Sequence, residues 1–461
     1  MRFDPERAAI RFGCGLSPRI APPTSAEAML SQLAGPDRAA EAFPVPGFSA
    51  VAAHYIAIRK ARKAYRAAKT EAEQTEKMQA VKEVRREMAR DGSRWFASIM
   101  QRRALTGDGL RERLVAFWSD HFTAFEQGGP LRFSHVSYAE EAIRPHVAGR
   151  FADMLRASAT HPVMLRYLDQ ARSAGPNSPA TAKNVKIGGL NENLAREMLE
   201  LHTLGVDGPY TQADVRQLAE LLTGLSYSMK AGFQFRPNLA EPGAETVLSV
   251  EYGGKKARLE DIYSAFDDLA RHPATARHIA RKLAVHFISD RPDEGLVDAM
   301  AARYAETDGN LPDVYATMLD HPAAWVDQPG NIKQPVDFVG SSLRALDIVP
   351  RAMPGEKYGQ MRKMFFTPLQ LMGQDWGHPP GPDGWTEADA EWITPQRLSA
   401  RLIWGMTIPY ELRRVLPDPR EFVETALGRR VPEEVRFAAR AAETRAEGVG
   451  IVLASPAFQR M

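Results

Sequence analysis

Three ionisable side chains with helical spacing are the first candidates for chemistry in this sequence. Glu192, Arg196 and Glu200 follow one another at intervals of four residues, so a helix brings them to one face. An arginine between carboxylates can keep one of them ionised while a more buried neighbour stays protonated, as acid–base catalysis requires. We therefore predict that Glu192, Arg196 and Glu200 are catalytic. The same pattern is also typical of an ion-pair ladder that joins a helix to its neighbours and needs no substrate.

A second stretch of the chain carries cations at the same spacing. His278, Lys282 and His286 would share one face of a helix, and Arg281 lies beside them. A row of cations facing a cleft suits a phosphate, sulfate or carboxylate group. We predict that His278, Lys282 and His286 bind an anionic substrate and that Arg281 is catalytic. Arg281 could equally neutralise the acids of the Glu192–Glu200 helix, which would be a structural role.

Histidines and carboxylates elsewhere are numerous enough to build a metal site in space. The candidate ligands are Glu197, Glu200, His202 and His121, and both histidines are also predicted to bind substrate. Glu197 and Glu200 are three residues apart, which permits them to share an ion. However, the chain has no His-Glu-x-x-His or Glu-x-x-His motif, and histidines on helices are more often packed or hydrogen-bonded than ligating. A divalent metal is therefore an open alternative and not the leading prediction.

Two tryptophans bracket a loop that is rich in glycine and proline. Trp376 opens this loop and Trp385 closes it. Exposed tryptophans can stack on sugar rings, so we predict that both side chains bind a glycan-like substrate. Tryptophan also anchors rigid loops to a core, because its large face buries well, and this alternative stays open.

Several motifs of known enzyme classes do not occur in the sequence. There is no Gly-x-Ser-x-Gly nucleophile motif, no phosphate-binding loop and no dinucleotide fingerprint, so no nucleotide cofactor is expected. Lys183 and Lys186 come before the Glu192 helix, where they would suit an anion cradle. Glu192 in the first turn of that helix would repel an anion, which argues against such a cradle.

The candidate residues lie on segments with the properties of helices. Residues 49–106 contain no proline and a single glycine, and they are dense in charge and alanine, which predicts one or two long helices. Further helices are predicted at Leu110–Phe122, which completes a helical hairpin, and at Asn191–Thr203. Residues 228–258 have the least helical pattern, and within them Phe233–Phe235 is predicted to pair with Thr246–Val250.

These elements predict an all-α, multi-helical fold. We expect a single domain over residues 1–461 with two packed lobes, 1–227 and 259–461, which meet within 228–258. The N-terminal lobe would carry the long charged helices of 49–106, which would form a long hairpin with Leu110–Phe122. Strands would be limited to at most a small β-hairpin near 230–252.

Composition excludes several broad classes of protein. The chain has 461 residues, of which 44% are hydrophobic and 25% charged, as in ordinary globular proteins. A formal net charge of +2 provides no overall field for nucleic acid. The single cysteine, Cys14, excludes a disulfide within the chain. No stretch approaches the roughly 18 uncharged apolar residues of a membrane span, and no signal peptide is recognisable, so a cytoplasmic location is expected.

Several motifs resemble one family of proteins over nearly the whole chain from Ile10 onward. They are Ala174-Gly175-Pro176-Asn177-Ser178-Pro179, the stretch from Gly189 to Gly205, Tyr210-Thr211-Gln212-Ala213-Asp214-Val215, the stretch from His272 to Leu283, and Pro382-Asp383-Gly384-Trp385. In order and spacing they resemble the bacterial domain of unknown function 1800 family. This resemblance implies one family-wide domain, but it implies no established activity.

The resemblance also carries implications for location, partners and three residues. Many members of the family have an export signal, which implies a periplasmic location as the alternative to a cytoplasmic one. Members are often encoded beside a second uncharacterised family, which implies a protein partner. Relatives often have histidine or asparagine where this chain has Asp120, tryptophan where it has Leu225 and histidine where it has Ala240. If the last of these histidines is a ligand or catalytic group in relatives, this protein is expected to have altered or lost that activity.

Two hypotheses for function follow. The first is an acid–base hydrolase or lyase that acts on a polar, glycan-like or anionic substrate through a cluster of Glu, Arg and His side chains. The second is a non-catalytic binding or assembly protein that works with a protein partner, because the long charged helices of 49–106 exceed what a compact core needs.

Overall fold

The computed structural model of the chain describes residues 3–126, 128–183, 189–326 and 330–461. Lys186, considered above for an anion cradle, lies outside these residues. Helices account for most of the described chain, and the strands within it form two short antiparallel pairs. The prediction of an all-α, multi-helical fold is confirmed.

The first six helices include a long N-terminal hairpin, which forms within residues 48–105 and not between residues 49–106 and Leu110–Phe122 as predicted. They are α1 (Pro5–Arg11), α2 (Ala26–Ala34), α3 (Arg38–Ala42), α4 (Phe48–Ala67), α5 (Glu71–Leu105) and α6 (Gly109–His121). Thr70 and Glu73 form a capping box that starts α5 directly after the turn. No residue from Arg59 to Ala80 is buried. The far half of the α4–α5 hairpin therefore extends beyond the packed body of the protein.

The middle of the chain combines short helices with widened turns. The helices are α7 (Ser134–Tyr138), α8 (Phe151–Thr160), α9 (Pro162–Tyr167), α10 (Pro179–Lys183), α11 (Asn193–Glu197) and α12 (Gln212–Leu221), with π-helices at Ala139–Ile143 and Met198–Thr203 and 3₁₀ turns at Gly129–Leu131, Arg144–His146 and Gln170–Arg172. The Leu204 N–H donates to the Leu199 carbonyl at 3.0 Å, five residues back, as a π-helix requires. The predicted helix at Asn191–Thr203 is thus α11 followed by a π-helix.

Two β-hairpins form where the sequence predicts one. Strand β1 (Leu225–Ser228) pairs with β2 (Gly232–Phe235), and β3 (Gly243–Val247) pairs with β4 (Val250–Gly254). The predicted pairing of Phe233–Phe235 with Thr246–Val250 is wrong. Leu248 and Ser249 have φ values of 49° and 66°, which build a two-residue turn and pair β3 with the strand that immediately follows it.

The remaining elements are again helices. They are α13 (Leu259–Arg271), α14 (Pro273–Phe287), α15 (Glu294–Glu306), α16 (Leu311–Asp320), α17 (Pro335–Ala345), α18 (Tyr358–Met361), α19 (Thr367–Leu371), α20 (Asp389–Trp392), α21 (Pro395–Leu412), α22 (Pro419–Leu427), α23 (Glu433–Ala441), α24 (Arg445–Ala454) and α25 (Pro456–Gln459), with a π-helix at Arg362–Phe366 and 3₁₀ turns at Pro322–Trp325, Pro350–Ala352 and Gly428–Arg430. In α14, Pro273 occupies the first turn, and the His272 ring accepts from the Ala274 N–H at 3.1 Å.

Two large hydrophobic cores and one small cluster, formed by Val51, Trp95, Leu131, Phe133 and Val136, organise the described residues. The first contains buried side chains between Ala8 and Trp325, whereas the second combines the C-terminal end of α5 with elements that follow Pro335. The first core includes helices on both sides of residues 228–258, where the two lobes were predicted to meet. The change from one core to the other comes after Trp325, and the division into lobes at 228–258 stays a prediction. Helices α6 and α14 of the first core contact the loop 373–387, and this contact contains the candidate site.

Candidate functional site

Lys282 lies on the face of α14 that also carries His278 and His286. Burial lowers the pKa of His121, His202 and His278, and the nearby charge of Lys282 lowers each of them further. The structure therefore brings together the end of α6, the π-helix after α11 and the middle of α14. Lys282 is half-buried, yet it makes no hydrogen bond or ion pair with any residue in the described part of the chain.

The three histidines around Lys282 are neutral bases with a defined orientation. The ring centroid of His121 is 6.2 Å from that of His202 and 6.1 Å from that of His278. His121 Nε2 donates to the His202 carbonyl at 3.1 Å, and His278 Nε2 donates to the Leu201 carbonyl at 3.0 Å. Because a carbonyl only accepts, Nδ1 of both rings carries the lone pair. Burial lowers the pKa of His202 to about 3 and that of His278 to about 4.

Asp120 joins α6 to the tryptophan loop. The Trp385 N–H donates to both of its carboxyl oxygens, at 2.9 and 3.1 Å. A Cβ on Gly384, which has a φ of +83°, would lie 2.6 Å from Asp120 Oδ2, so glycine lets the loop pack this closely. Burial and then the charge of Glu387 raise the pKa of Asp120 to about 8, although Lys282 acts in the opposite direction. Asp120 is therefore protonated at neutral pH.

Glu387 is held by a chain of hydrogen bonds that begins in the second core. Asp337 accepts from both Arg103 and Arg113. Arg113 Nη2 lies 3.1 Å from His286 Nε2, and since a guanidinium only donates, His286 Nε2 is the acceptor. His286 Nδ1 then donates to Glu387 Oε1 at 2.7 Å. Both ring nitrogens of His286 are engaged, so this histidine positions Glu387.

The two carboxyl groups of the site are in opposite protonation states. Burial alone would raise the pKa of Glu387, but contact with His286 and the charges of Lys282 and Arg113 hold it below its usual value. Glu387 is therefore ionised at the pH at which Asp120 is protonated. Carboxyl pairs with divergent pKa values are characteristic of acid–base active sites, where one group donates a proton and the other accepts one.

A cavity of about 180 Å³ opens beside Asp120 and His286. Trp376 and Trp385 both contribute to its wall, so the structure places the two predicted tryptophans at a shared space. Trp376 also stacks on Phe366 with a centroid distance of 5.6 Å, which anchors the loop to the second core. Each predicted role of the tryptophan loop, binding and anchoring, thus has a structural counterpart.

The Glu192–Glu200 ladder lies on the surface. Arg196 pairs with Glu192 at 3.3 Å and with Glu200 at 3.2 Å, and it also donates to Gln212 Oε1 at 2.9 Å. The Arg196, Glu192 and Glu200 side chains are 38%, 34% and 25% exposed. Pairs this exposed contribute about 0–1 kcal/mol each. The arrangement corresponds to the ion-pair ladder of the alternative prediction, and the catalytic role of these residues stays a prediction.

Arg281 does not join that ladder. Its side chain is 42% exposed and pairs with Glu294 of α15 at 2.6 Å. Arg277, one turn earlier on α14, pairs with Glu294 as well, at 3.2 Å. This row of arginines faces α15, while Lys282 and the histidines face α6. The two rows of α14 therefore serve different surfaces.

The four candidate metal ligands divide into two groups. His121 and His202 lie in the histidine cluster, whereas Glu200 is engaged in the surface ladder. Burial, and then the charges of Glu200 and Asp383, raise the pKa of Glu197. Within residues 3–126, 128–183, 189–326 and 330–461, no group of three or more His, Cys, Asp or Glu side chains has a geometry that could hold a metal ion.

Three residues of the site were not singled out from the sequence. Glu387 follows Trp385 in a loop without periodicity, and Arg113 and Asp337 lie in helices that carry other charged residues as well. A charged residue on a buried helix face is the one signal that could have found Arg113, because such a residue is normally paired. Asp120 was noted as a departure from the family pattern, and the structure places it at the centre of the site.

Comparisons with known proteins identify the family alone. Among the described residues, no helix combines the length and the apolar character needed to cross a membrane. No curated protein and no solved structure matches the chain. A family described as "Protein of unknown function (DUF1800)" matches residues 7–460. The chain therefore belongs to the DUF1800 family.

Proposed function

We propose that the protein is an acid–base enzyme, a hydrolase or lyase, whose reaction takes place at Asp120, Glu387 and Lys282. The observation that carries this proposal is a protonated and an ionised carboxyl group beside a half-buried lysine that makes no hydrogen bond or ion pair among the described residues. Burying ionisable groups is costly unless they are paired or used. Lys282 is available to a substrate, because the neighbouring carboxylate already bonds to His286.

Each group has a distinct role in this proposal. Asp120 is the general acid that protonates the leaving oxygen, and Glu387 is the general base. Lys282 binds an anionic or strongly polar group of the substrate. The free Nδ1 atoms of His121 and His278 accept hydrogen bonds from substrate hydroxyls.

The proton balance closes for a hydrolysis. Glu387 removes a proton from water as the water oxygen bonds to the electrophilic centre. Asp120 transfers its proton to the departing oxygen as the old bond breaks. Glu387 then holds a proton and Asp120 a negative charge, and exchange with solvent restores both groups. In a lyase, Glu387 would remove the proton from substrate carbon instead of water.

A panel of chromogenic 4-nitrophenyl esters, glycosides, phosphates and sulfates tests the proposal. For any substrate that the protein turns over, Glu387→Gln is expected to lower kcat/KM by about 100-fold, because the amide cannot accept a proton. Glu200→Gln is the informative comparison, since it removes a carboxylate from the surface ladder. Loss of activity in folded Glu200→Gln with retention in Glu387→Gln would return catalysis to the ladder and overturn the assignment.

A second candidate function is binding of a protein partner by the α4–α5 hairpin. It is favoured by the far half of that hairpin, in which no residue from Arg59 to Ala80 is buried. At about 1.5 Å per helical residue this half projects by roughly 13–15 Å. An extension without a fully buried residue has surface that is available to another chain.

Shortening the hairpin tests this candidate. We expect that replacing residues 61–77 with a short glycine-containing turn changes the free energy of unfolding by less than about 1 kcal/mol, because few buried contacts are removed. Urea unfolding measures the change, and co-purification with the full-length and shortened proteins measures partner binding. A larger destabilisation would assign the hairpin a structural role, and equal co-purification of a partner by both proteins would count against the hairpin as its binding surface.

A further inference from the structure

The cavity beside Asp120 has mostly apolar walls. It is bounded by α5, α6, the π-helix Ala139–Ile143, the start of α17 and the tryptophan loop. Ile99, Val115, Ala116, Phe125, Val336 and Trp376 supply much of its surface. Such walls favour aromatic or aliphatic groups, because burying apolar surface stabilises a complex by roughly 25 cal/mol per Å².

The charged side chains that reach the cavity are already paired. Arg144 makes two hydrogen bonds with Glu112, at 2.9 and 2.8 Å. Arg102, behind the wall, makes two with Glu140, at 2.6 and 3.0 Å. Arg103 in the wall is engaged with an aspartate of α17. A charged ligand would have to leave water without an unpaired counter-charge at these positions, which is costly.

A few neutral polar groups in the cavity wall lack hydrogen-bond partners among the described residues. Ser119 Oγ is buried and unpaired there. Burial is the main reason why the pKa of His135 falls to about 3, so its ring is uncharged, and a hydrogen bond from the ring to the Arg132 backbone leaves the other ring nitrogen as an acceptor. A buried polar group without a partner costs about 1–3 kcal/mol, and a ligand hydroxyl or carbonyl would remove that cost.

The size and shape of the cavity limit what it can hold. An apolar protein cavity of about 150 Å³ is known to bind benzene, so about 180 Å³ suits one substituted aromatic ring or a short acyl chain. His135 packs against Trp376 with a centroid distance of 4.7 Å and an interplanar angle of 82°, which places a polar ring edge beside an aromatic face. An aromatic alcohol matches this combination of surfaces.

We propose that this cavity binds the uncharged aryl or short acyl part of the substrate, with an oxygen atom of that part hydrogen-bonded to Ser119 and His135 beside Asp120. This inference rests on the proposed function in one respect: the part bound in the cavity is taken to be the group whose oxygen Asp120 protonates. The substrate of the acid–base site would then be amphipathic, with a polar part and an apolar part. Its polar end lies at Lys282 and its apolar end in the cavity.

Titration calorimetry with phenol tests the assignment without any need for turnover. Phenol is expected to bind at one site, and saturating inorganic phosphate, which would be held at Lys282 and has no apolar part, is not expected to displace it. Ser119→Ala should weaken phenol binding by about fivefold, as expected for one lost hydrogen bond. Ala116→Leu should abolish binding by filling the cavity, whereas Ala80→Leu on the exposed part of α5 should leave it unchanged.

The outcomes separate this inference from the proposed function. Phenol that binds Ala116→Leu as tightly as the unaltered protein, or phenol that inorganic phosphate displaces, would overturn the cavity assignment. Phenol binding that depends on the cavity, combined with no loss of turnover in Glu387→Gln, would retain the cavity and overturn the acid–base site. Turnover of aryl substrates with no binding of phenol would retain the acid–base site and overturn the cavity assignment. Thermal unfolding of each variant establishes that it is folded.

Discussion

Replacing Asp337 with alanine is expected to lower the free energy of unfolding at neutral pH by about 3–5 kcal/mol. The Asp337 carboxylate accepts hydrogen bonds from Arg103 and Arg113, and both guanidinium groups are at least 95% buried. Removing one member of a buried ionic cluster leaves the other charges without compensation, which costs more than the pairing itself contributes. Lys333 adds to the effect, because burial lowers its pKa to about 7 and Asp337 is the carboxylate that opposes this shift.

The pH dependence of this effect has a definite sign. Burial alone would raise the pKa of Asp337, but the charges of Arg113 and Arg103 hold it well below its usual value. A carboxyl group with a depressed pKa in the folded state stabilises the protein above its unfolded-state pKa of about 3.9. That contribution is lost as the pH falls below this value. The part of the stability difference between the unaltered protein and Asp337→Ala that comes from this carboxylate should therefore be present at neutral pH and should shrink in acid.

Urea unfolding at several pH values measures the difference. Asp298→Ala is the matched control, since the Asp298 side chain is 61% exposed and pairs with an exposed arginine of α14. This control should change stability by less than about 1 kcal/mol. A loss of similar size in both variants would show that the Asp337 cluster is not an important source of stability. The prediction also bears on the site, because Arg113 connects Asp337 to His286.

Helical periodicity predicted which residues of α14 share a face, and this part of the site followed from sequence alone. His278, Lys282 and His286 are four residues apart, and the structure places Lys282 among histidines of three elements. Periodicity did not predict which element each face meets. Arg281 shares the helix with Lys282 but contacts Glu294, because neighbouring residues on a helix point about 100° apart.

The spacing of the residues in the Glu192–Glu200 ladder did not determine whether their side chains are exposed or buried. Oppositely charged residues four apart satisfy one another equally well on a surface and in a cleft, so the pattern is the same in both cases. Glu387 was not predictable, because its partner His286 precedes it by 101 residues and the loop between α19 and α20 has no period. Long-range contacts of this kind depend on how the two cores pack together.

The β-hairpins illustrate the same distinction on a smaller scale. The low helical propensity of residues 228–258 predicted that strands lie there, and they do. The partner of each strand depends on the turn that follows it. Leu248 and Ser249 adopt positive φ values that their residue types do not favour, so the two-residue turn between β3 and β4 had no signal in the sequence.

Asp120→Asn is expected to abolish catalysis and to stabilise the protein in alkaline solution. Asparagine has the size of the protonated carboxyl group and can still accept a hydrogen bond from the Trp385 N–H. It cannot donate a proton to a leaving oxygen, so kcat/KM should fall by about 100- to 10,000-fold for any substrate of the panel. A loss of activity caused by unfolding would instead come with a loss of stability. The two measurements together therefore separate a catalytic role from a structural one.

The contribution of Asp120 to the free energy of unfolding changes with pH in the direction opposite to that of Asp337. Burial and the charge of Glu387 raise the pKa of Asp120 to about 8 in the folded protein, whereas an unfolded aspartate has a pKa of about 3.9. The contribution of Asp120 to stability is thus fully present below about pH 4 and is lost progressively up to about pH 8. Asparagine does not titrate, so the Asp120→Asn variant loses no stability in this way. Its free energy of unfolding, relative to that of the unaltered protein, should increase across this pH range by an amount on the order of a few kcal/mol and stay constant above it. Urea unfolding at pH 5, 7 and 9 measures the gain, with Asp298→Asn as the exposed control. An advantage that is the same at all three pH values would mean that Asp120 is ionised throughout, and Asp120 could then not be the general acid.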